Sequence, residues 1–353
     1  MEKKLILSNV DKEMKIALEK YEEPKDIKRV LSGMRPTGKL HLGNYFGALK
    51  PWLELQDRAE SFFFIADWHA ITTSYQDTRD LAENTVQMMA DWLACGLTPE
   101  KSTLFVQSWI KEHAELHLLL SMITPVRWLE RNPTYKEMME NLKDREIATY
   151  GFLGYPVLQT ADIVLYDADT VPVGIDQLPH LELSREIVRR FNRFFGELLV
   201  EPRPYLSEAP KLPGLDGRKM SKSYGNCIYL SDSKEEVEKK VRSMVTDPAR
   251  VRKTDPGHPE VCTVYAYHKM FTPEEKVKEI EEACRKGEIG CVQCKKLLAQ
   301  NINSFLEPIR SKREELLSDR DSLIDIFREG SKRASEIARK KMKEIKKAVN
   351  FLV

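Results

Sequence analysis

Arg29-Val30-Leu31-Ser32-Gly33-Met34-Arg35-Pro36-Thr37-Gly38-Lys39-Leu40-His41-Leu42-Gly43-Asn44 begins as a short apolar run and ends as a Gly-punctuated turn in front of a helical pattern. The spacing predicts a buried strand from Arg29 that runs into the turn near Gly33, and a helix over Asn44 to Leu55. Further on, Ser61-Phe62-Phe63-Phe64-Ile65-Ala66 is a continuous apolar run of the kind shown by parallel strands covered on both faces. A helix over Leu81 to Cys95 and a strand over Ser102 to Val106 complete a strand-helix-strand-helix-strand alternation. That alternation predicts an α/β fold with a doubly wound parallel sheet. Ligands of such sheets bind outside the carboxyl ends of the strands, where the 35–44 turn falls.

Away from this centre the pattern changes. Residues 1–28 are polar and charged, with a helical stretch over Asp11 to Tyr21 and a break at Pro24. Glu112 to Leu142 reads as mostly helical, and Gly151 to Tyr166 as a helix followed by a strand. Pro172 to Gln177 opens a helix reaching Phe195, and Leu206 to Ile228, rich in Gly, Pro and Lys, reads as an exposed loop. Beyond Ser231 the chain reads as helices, and Ser233 with Glu236 has the spacing of a capping box. Three segments follow: an extension over 1–28, an α/β domain over 29–231 and a helical domain over 232–353.

The 353 residues suit about two domains. No run approaches 18 apolar residues, so no membrane span is expected, and a 42% hydrophobic content argues against disorder. The basic start, Met1 to Lys4, meets an apolar run too short for a signal peptide, so a cytoplasmic location is expected. The net charge of +1 excludes a strongly basic nucleic-acid coat. Charged residues make up 31%, above the usual ~25%, which fits ion-pair networks or a plain solvated surface. The excess of cations is segregated: Ser331 to Val353 holds eight Lys or Arg against Glu336 and Glu344, a local +6 that leaves −5 elsewhere. RNA phosphate binding and a solvated terminal helix both account for it. Six cysteines in a reducing compartment are not expected to form disulfides. Cys95 and Cys227 read as ordinary thiols. Cys262-x21-Cys284-x6-Cys291-x2-Cys294 offers four thiolates, which suit a tetrahedral zinc or a [4Fe–4S] cluster.

The chemistry concentrates in two places. In the 36–44 turn, Gly38 and Gly43 let a nucleotide approach the backbone, and His41 and Asn44 offer donors near a helix N-terminus that favours phosphate. In Gly217-Arg218-Lys219-Met220-Ser221-Lys222-Ser223, two lysines and two hydroxyls can wrap a triphosphate and let pyrophosphate go afterwards. Occurring in this order on one α/β domain, the two segments together resemble the two signatures of class I aminoacyl-tRNA synthetases. Within that class, residues from Ser32 onward are similar to the tryptophanyl-tRNA synthetase family. Four segments carry the likeness: Ser32 to Gly38; Ala66-Asp67-Trp68-His69-Ala70-Ile71-Thr72; Tyr155-Pro156-Val157-Leu158-Gln159-Thr160-Ala161-Asp162; and Val171 to Gln177 followed by His180 to Arg185.

The resemblance implies a Rossmann-type catalytic domain followed by an α-helical anticodon-binding domain. It implies that Arg35, Pro36, Thr37, Gly43 and Asn44 lie beneath ATP, that Gly174, Ile175 and Asp176 hold its ribose and adenine, and that Leu212 touches the adenine. Lys219 and Lys222, with Met220, Ser221 and Ser223 of the same loop, would meet the phosphates. His41, Asn44, Lys219 and Lys222 would be the catalytic set, acting with Mg²⁺ by positioning and charge stabilisation. Asp162 would accept the indole N–H of L-tryptophan, and Tyr155, Gln159, His69 and Gln177 would complete the pocket, with Gln159 standing where bacterial relatives often have Met. The implied partners are ATP, L-tryptophan, tRNA(Trp) and a second copy in a homodimer. The cysteine spacing resembles that of a minority of the family with a [4Fe–4S] cluster in the anticodon-binding domain, zinc being the alternative. Two other readings stand beside this one, a tyrosyl-tRNA synthetase and a catalytically inert iron–sulfur RNA-binding paralogue; intact His41, Asn44, Lys219 and Lys222 argue against the second.

Overall fold

A computed structural model of the chain describes Tyr21, Pro24, residues 26–133, Tyr135, Lys136, Met139, and residues 148–206 and 212–352. The helix expected over Asp11 to Tyr21 lies almost wholly outside the described residues, as does the 207–211 part of the expected loop. Five parallel strands form one sheet: β1 (Arg29–Met34), β2 (Glu60–Ile65), β3 (Ser102–Val106), β4 (Thr170–Val173) and β5 (Arg203–Leu206), in the order β3-β2-β1-β4-β5. The order reverses between β1 and β4, which is where a doubly wound sheet opens a crevice. β4 meets β1 through Val30↔Thr170, so the two strands have parted by the level of Pro172 and the missing N–H of that proline costs no bond there.

The helices are α1 (Leu42–Asn44, continuing through a π turn at Tyr45–Leu49 into Lys50–Leu55), α2 (Asp67–Ser74), α3 (Leu81–Ala94), α4 (Glu112–Ile123), α5 (Val126–Glu130), α6 (Tyr150–Val164) and α7 (Leu178–Phe195). After the sheet come α8 (Lys234–Ser243), α9 (Thr263–Phe271), α10 (Glu274–Arg285), α11 (Cys291–Ser318) and α12 (Arg320–Ala348). Ser233 and Glu236 form the expected capping box at the start of α8. Two expectations are corrected. Gly151 to Tyr166 holds no strand: α6 runs straight through Pro156, because Phe152, Val157, Ala161 and Val164 recur at helical spacing and are all buried. Pro172 does not begin a helix either. Val171 and Val173 point into the core and complete β4, and α7 starts only at Leu178.

β2 divides the core by simple alternation. Phe63 and Ile65 pack on one face with Trp52 and Trp92, and Phe62 and Phe64 on the other with Phe105 and Tyr166. Gly33 is what admits Phe64, since a Cβ there would stand 2.5 Å from its ring. The first cluster continues into Val237, Val241, Leu298, Ile302, Leu306 and Phe327, so the later helices share a core with α1 and α3.

The last helix returns to the sheet. α12 lies along β3, where a Cβ at Gly330 would be 1.8 Å from Leu104 O and the Val106 N–H donates to Ser331 Oγ (3.4 Å), covering the edge strand. This changes the reading of its charge. Lys341 is buried and bridges Asp167 (2.5 Å) and Leu198 O (2.8 Å), Lys346 pairs with Glu115 (2.6 Å), and Arg339 faces Glu112 (3.5 Å). Lys332 pairs with Glu329, and Arg333 donates to Pro99 O (3.1 Å). Three of the eight cations of this segment thus answer carboxylates on other elements, while Lys332, Arg333, Arg339, Lys340, Lys343 and Lys347 are exposed.

Candidate active site

At the β1/β4 crevice the 35–41 turn ends in His41, the N-cap of α1. His41 Nδ1 accepts the Asn44 N–H (3.2 Å), and Asn44 Oδ1 accepts the His41 N–H (3.1 Å). With Nδ1 occupied as an acceptor, the neutral ring carries its hydrogen on Nε2. Burial, helped by the Lys222 charge, lowers the His41 pKa to about 4, so the ring is a neutral donor near pH 7. Gly38 has φ +103°, a conformation that a side chain would strain, and Gly43 lies against Met220 Sδ, to which its N–H points at 3.4 Å.

The lysine loop is joined to this turn by backbone. Leu42 N–H donates to Ile228 O and Leu230 N–H to Leu40 O, each at 2.9 Å, with His41 and Tyr229 bridged antiparallel between them. Lys222 Nζ caps the carbonyls of Gly38 (3.0 Å) and Thr37 (3.3 Å), and burial lowers its pKa. Lys219 is exposed, while Met220 and Leu212 are buried and belong to the first core cluster. The Ser221 and Ser223 hydroxyls are hydrogen-bonded at 2.8 Å. The organiser of the loop is Asn226, which sequence reasoning passed over. Its Oδ1 accepts the Ser221 N–H (2.9 Å), and its Nδ2 donates to Asp216 Oδ1 (2.8 Å) and Lys219 O (3.1 Å). Gly214 leaves the room for it, since a Cβ there would be 2.1 Å from that Nδ2.

Across the crevice, Arg35 and Thr37 are exposed, Pro36 is buried, and Arg35 Nη1 reaches Thr73 Oγ1 at 3.4 Å. After β4, Gly174 passes so close to Asp176 that a Cβ would stand 2.7 Å from Oδ1, Ile175 is half-buried beside it, and Gln177 Nε2 donates to Asp176 Oδ2 (3.2 Å).

Tyr155, Gln159 and Asp162 fall on one face of α6 by their i, i+4, i+7 spacing. Asp162 is fully buried. Its Oδ2 meets His69 Nε2 (2.7 Å), and its Oδ1 meets His113 Nδ1 (2.6 Å) and Gln107 Nε2 (2.8 Å). Burial alone would raise this carboxyl; the bonds from His113 and His69 outweigh it and hold the group well below the usual carboxylate range. Tyr155 OH meets His180 Nε2 (2.7 Å), whose Nδ1 faces Asn132 Nδ2 (2.8 Å). Burial pushes Tyr155 up to about 12 and His180 down to about 4. His69 lies beyond, its ring 6.4 Å from that of Tyr155. Gln107, His113, Tyr166, Asn132 and His180 were not anticipated as site residues. For Gln107 a signal existed, since it directly follows β3 at the same edge of the sheet.

The four cysteines converge in the helical region. Cys291 and Cys294 lie in the first turn of α11, where the helix N-terminus favours thiolates. Arg250 Nη1 lies 3.6 Å from Cys284 Sγ and 3.9 Å from Cys291 Sγ, its Nη2 ties Lys253 O and Ile289 O at 2.6 Å each, and its buried Nε has no partner among the described residues. Burial, then the charges of Cys262, Cys284 and Cys291, push Cys294 up to about 12. Among the described residues no three Cys, His, Asp or Glu side chains close on a single ion-sized site.

The sequence profile described as "tRNA synthetases class I (W and Y)" matches residues 24–307. The tryptophan–tRNA ligase of Thermotoga maritima is 53% identical, with 92% of this chain and 99% of that protein covered. That of Aquifex aeolicus is 49% identical, with 92% and 100% covered. The crystal structure of tryptophanyl-tRNA synthetase from Campylobacter jejuni complexed with ADP and tryptophan gives a TM-score of 0.85 at 38% identity, over 92% of this chain and all of that one. Tyrosyl-tRNA synthetase from Archaeoglobus fulgidus shares the fold, with a TM-score of 0.63 at 24% identity.

Proposed function

This chain belongs to the class I tRNA synthetases of the tryptophan and tyrosine group, and we propose from that premise how its crevice carries out the tryptophan–tRNA ligase reaction. The enzyme activates L-tryptophan with ATP to tryptophanyl-adenylate and pyrophosphate, then transfers the aminoacyl group to the terminal adenosine of tRNA(Trp), releasing AMP. The observation that carries the mechanism is the backbone pairing of the His41 turn with Ile228 to Leu230, the segment that follows the lysine loop, together with the Lys222 bonds to Thr37 O and Gly38 O.

Neither step needs a protein nucleophile, because the tryptophan carboxylate itself attacks the α-phosphate. The chain supplies position and charge. His41, neutral with its hydrogen on Nε2, and Asn44, whose Oδ1 is committed to the cap, donate to the phosphates from the start of α1. Lys222 and exposed Lys219 stabilise the charge that builds on the leaving pyrophosphate, and Lys222 returns to the Gly38 and Thr37 carbonyls once it departs. Mg²⁺ arrives as part of the nucleotide substrate. Asp162 accepts the indole N–H beside Gln159 and His69, and Tyr155 and Gln177 hold the α-amino group. The test is Lys222→Ala. Tryptophan-dependent pyrophosphate exchange is expected to fall roughly 10²- to 10³-fold, with tryptophan affinity near wild type; unchanged exchange contradicts the assignment.

Residues 29–231, with α12 laid along β3, then form the catalytic domain, and α8 to α11 the part that receives the tRNA anticodon. Cys262, Cys284, Cys291 and Cys294 would hold a [4Fe–4S] cluster there. The helix N-terminus and the Arg250 guanidinium supply the positive surroundings that four thiolates need. The reaction transfers no electrons, so the cluster's part is to shape the surface around it. Leu118 and Met122 on α4 and Val126 on α5 present an exposed apolar face that a second copy would cover, giving a homodimer that sedimentation at twice the chain mass checks. The expected place of work is the cytoplasm; among the described residues no helix is long and apolar enough to cross a membrane.

A further inference from the structure

Among the described residues, counting hydrogen bonds at Asp162 leaves one position open. A carboxylate offers about four lone-pair positions. His113 Nδ1 (2.6 Å) and Gln107 Nε2 (2.8 Å) fill those of Oδ1, and His69 Nε2 (2.7 Å) fills one on Oδ2. The remaining acceptor is on Oδ2, the oxygen that meets His69, whose ring lies 6.4 Å from that of Tyr155. We propose that Gln107, His113 and Tyr166 are positioning residues that lock the Asp162 carboxylate with a single acceptor toward the amino-acid pocket, and so set the enzyme's selection for a ring bearing an N–H. The proposal rests on the reading that Asp162 meets the indole.

The lock is directional at each link. Tyr166 is fully buried, and its hydroxyl lies 2.8 Å from His113 Nε2. A phenol that donates there makes Nε2 the acceptor and puts the His113 hydrogen on Nδ1, aimed at Oδ1. Gln107 is fully buried too, and its Oε1 has no partner among the described residues. Turning that amide over would set an oxygen against the carboxylate, so the carboxylate dictates its orientation. Rotating Asp162 would break both bonds to Oδ1 in a fully buried position. The free acceptor on Oδ2 is therefore fixed in direction before any ligand arrives, and a ring without a donor at that point leaves it unpaired.

The experiment compares L-tryptophan with its benzothiophene analogue, in which sulfur replaces the indole N–H, by the ratio of kcat/KM in pyrophosphate exchange. Wild type is expected to favour tryptophan by orders of magnitude; a wild-type ratio near one would sink the Asp162 reading and the proposal with it. In His113→Leu the KM for tryptophan is expected to rise roughly ten- to hundredfold, with kcat and the KM for ATP near wild type and the ratio collapsing toward one. His113→Asn, which keeps a donor at the Nδ1 position, is expected to recover most of the ratio, a rescue that mere loss of packing would not give. Should leucine at 113 not fold, Tyr166→Phe, which deletes one oxygen, and Gln107→Met carry the same test. A wild-type ratio in every folded variant overturns the proposal while leaving the role of Asp162 standing.

Discussion

His41 and His180 are both held neutral by burial, with pKa values lowered to about 4 against about 6.5 for an unperturbed histidine. Between those values the unfolded chain binds protons that the folded chain refuses, so stability is complete above about pH 6.5 and declines as the pH falls toward 4. Asp162, held below the usual carboxylate range, gives up its contribution only at more acid pH, outside this window. Urea midpoints measured from pH 7 to pH 4.5 are therefore expected to fall, and His180→Gln, which cannot take up a proton, to flatten the slope. An identical slope in the variant contradicts this account. The same residues mark the limit of sequence reading. That His41, Asn44 and Lys222 lie together was legible because each stands in a short, recognisable run of residues. Asn226 was not, since its work is to hold backbone that the sequence pattern reads only as loop. Gln107 and His113 act on Asp162 from 55 and 49 residues away, and a pairing at that distance exists only once β3, α4 and α6 have packed.

At the scale of elements, three of the five strands and their helices could be read from hydrophobic period alone, because β1, β2 and β3 are apolar runs separated by well-spaced helices. β4 and the body of α6 were misread for the same reason in each case. A proline breaks the local rule, and tertiary burial overrides it, in β4 because the strands have parted beside Pro172 and in α6 because an apolar stripe continues past Pro156. The seat of α12 on β3 was invisible, as it depends on a close approach at one glycine. Gly330→Ala is expected to destabilise by about 1–3 kcal/mol through the clash with Leu104 O. Gly47→Ala, in the π turn of α1 with nothing within 4 Å of the new methyl, is expected to be neutral or to stabilise by up to about 1 kcal/mol. Thermal unfolding of the pair checks both, and equal shifts would mean that α12 is not held where described.

For the molecule as a whole, the basic last helix pairs with acidic residues of α4 and the loop before β4 and fastens itself to the parallel sheet. The proposed cluster belongs at this scale, because its four cysteines come from three separate stretches of the helical region. Anaerobic purification is expected to yield about four irons and four sulfides per chain, and one zinc with no iron would contradict the cluster. The central claim, that the joined crevice activates tryptophan, is tested most directly by pyrophosphate exchange with each of the twenty amino acids in turn. Exchange with tryptophan alone is the result predicted, and exchange with tyrosine but not tryptophan is the result that would contradict it.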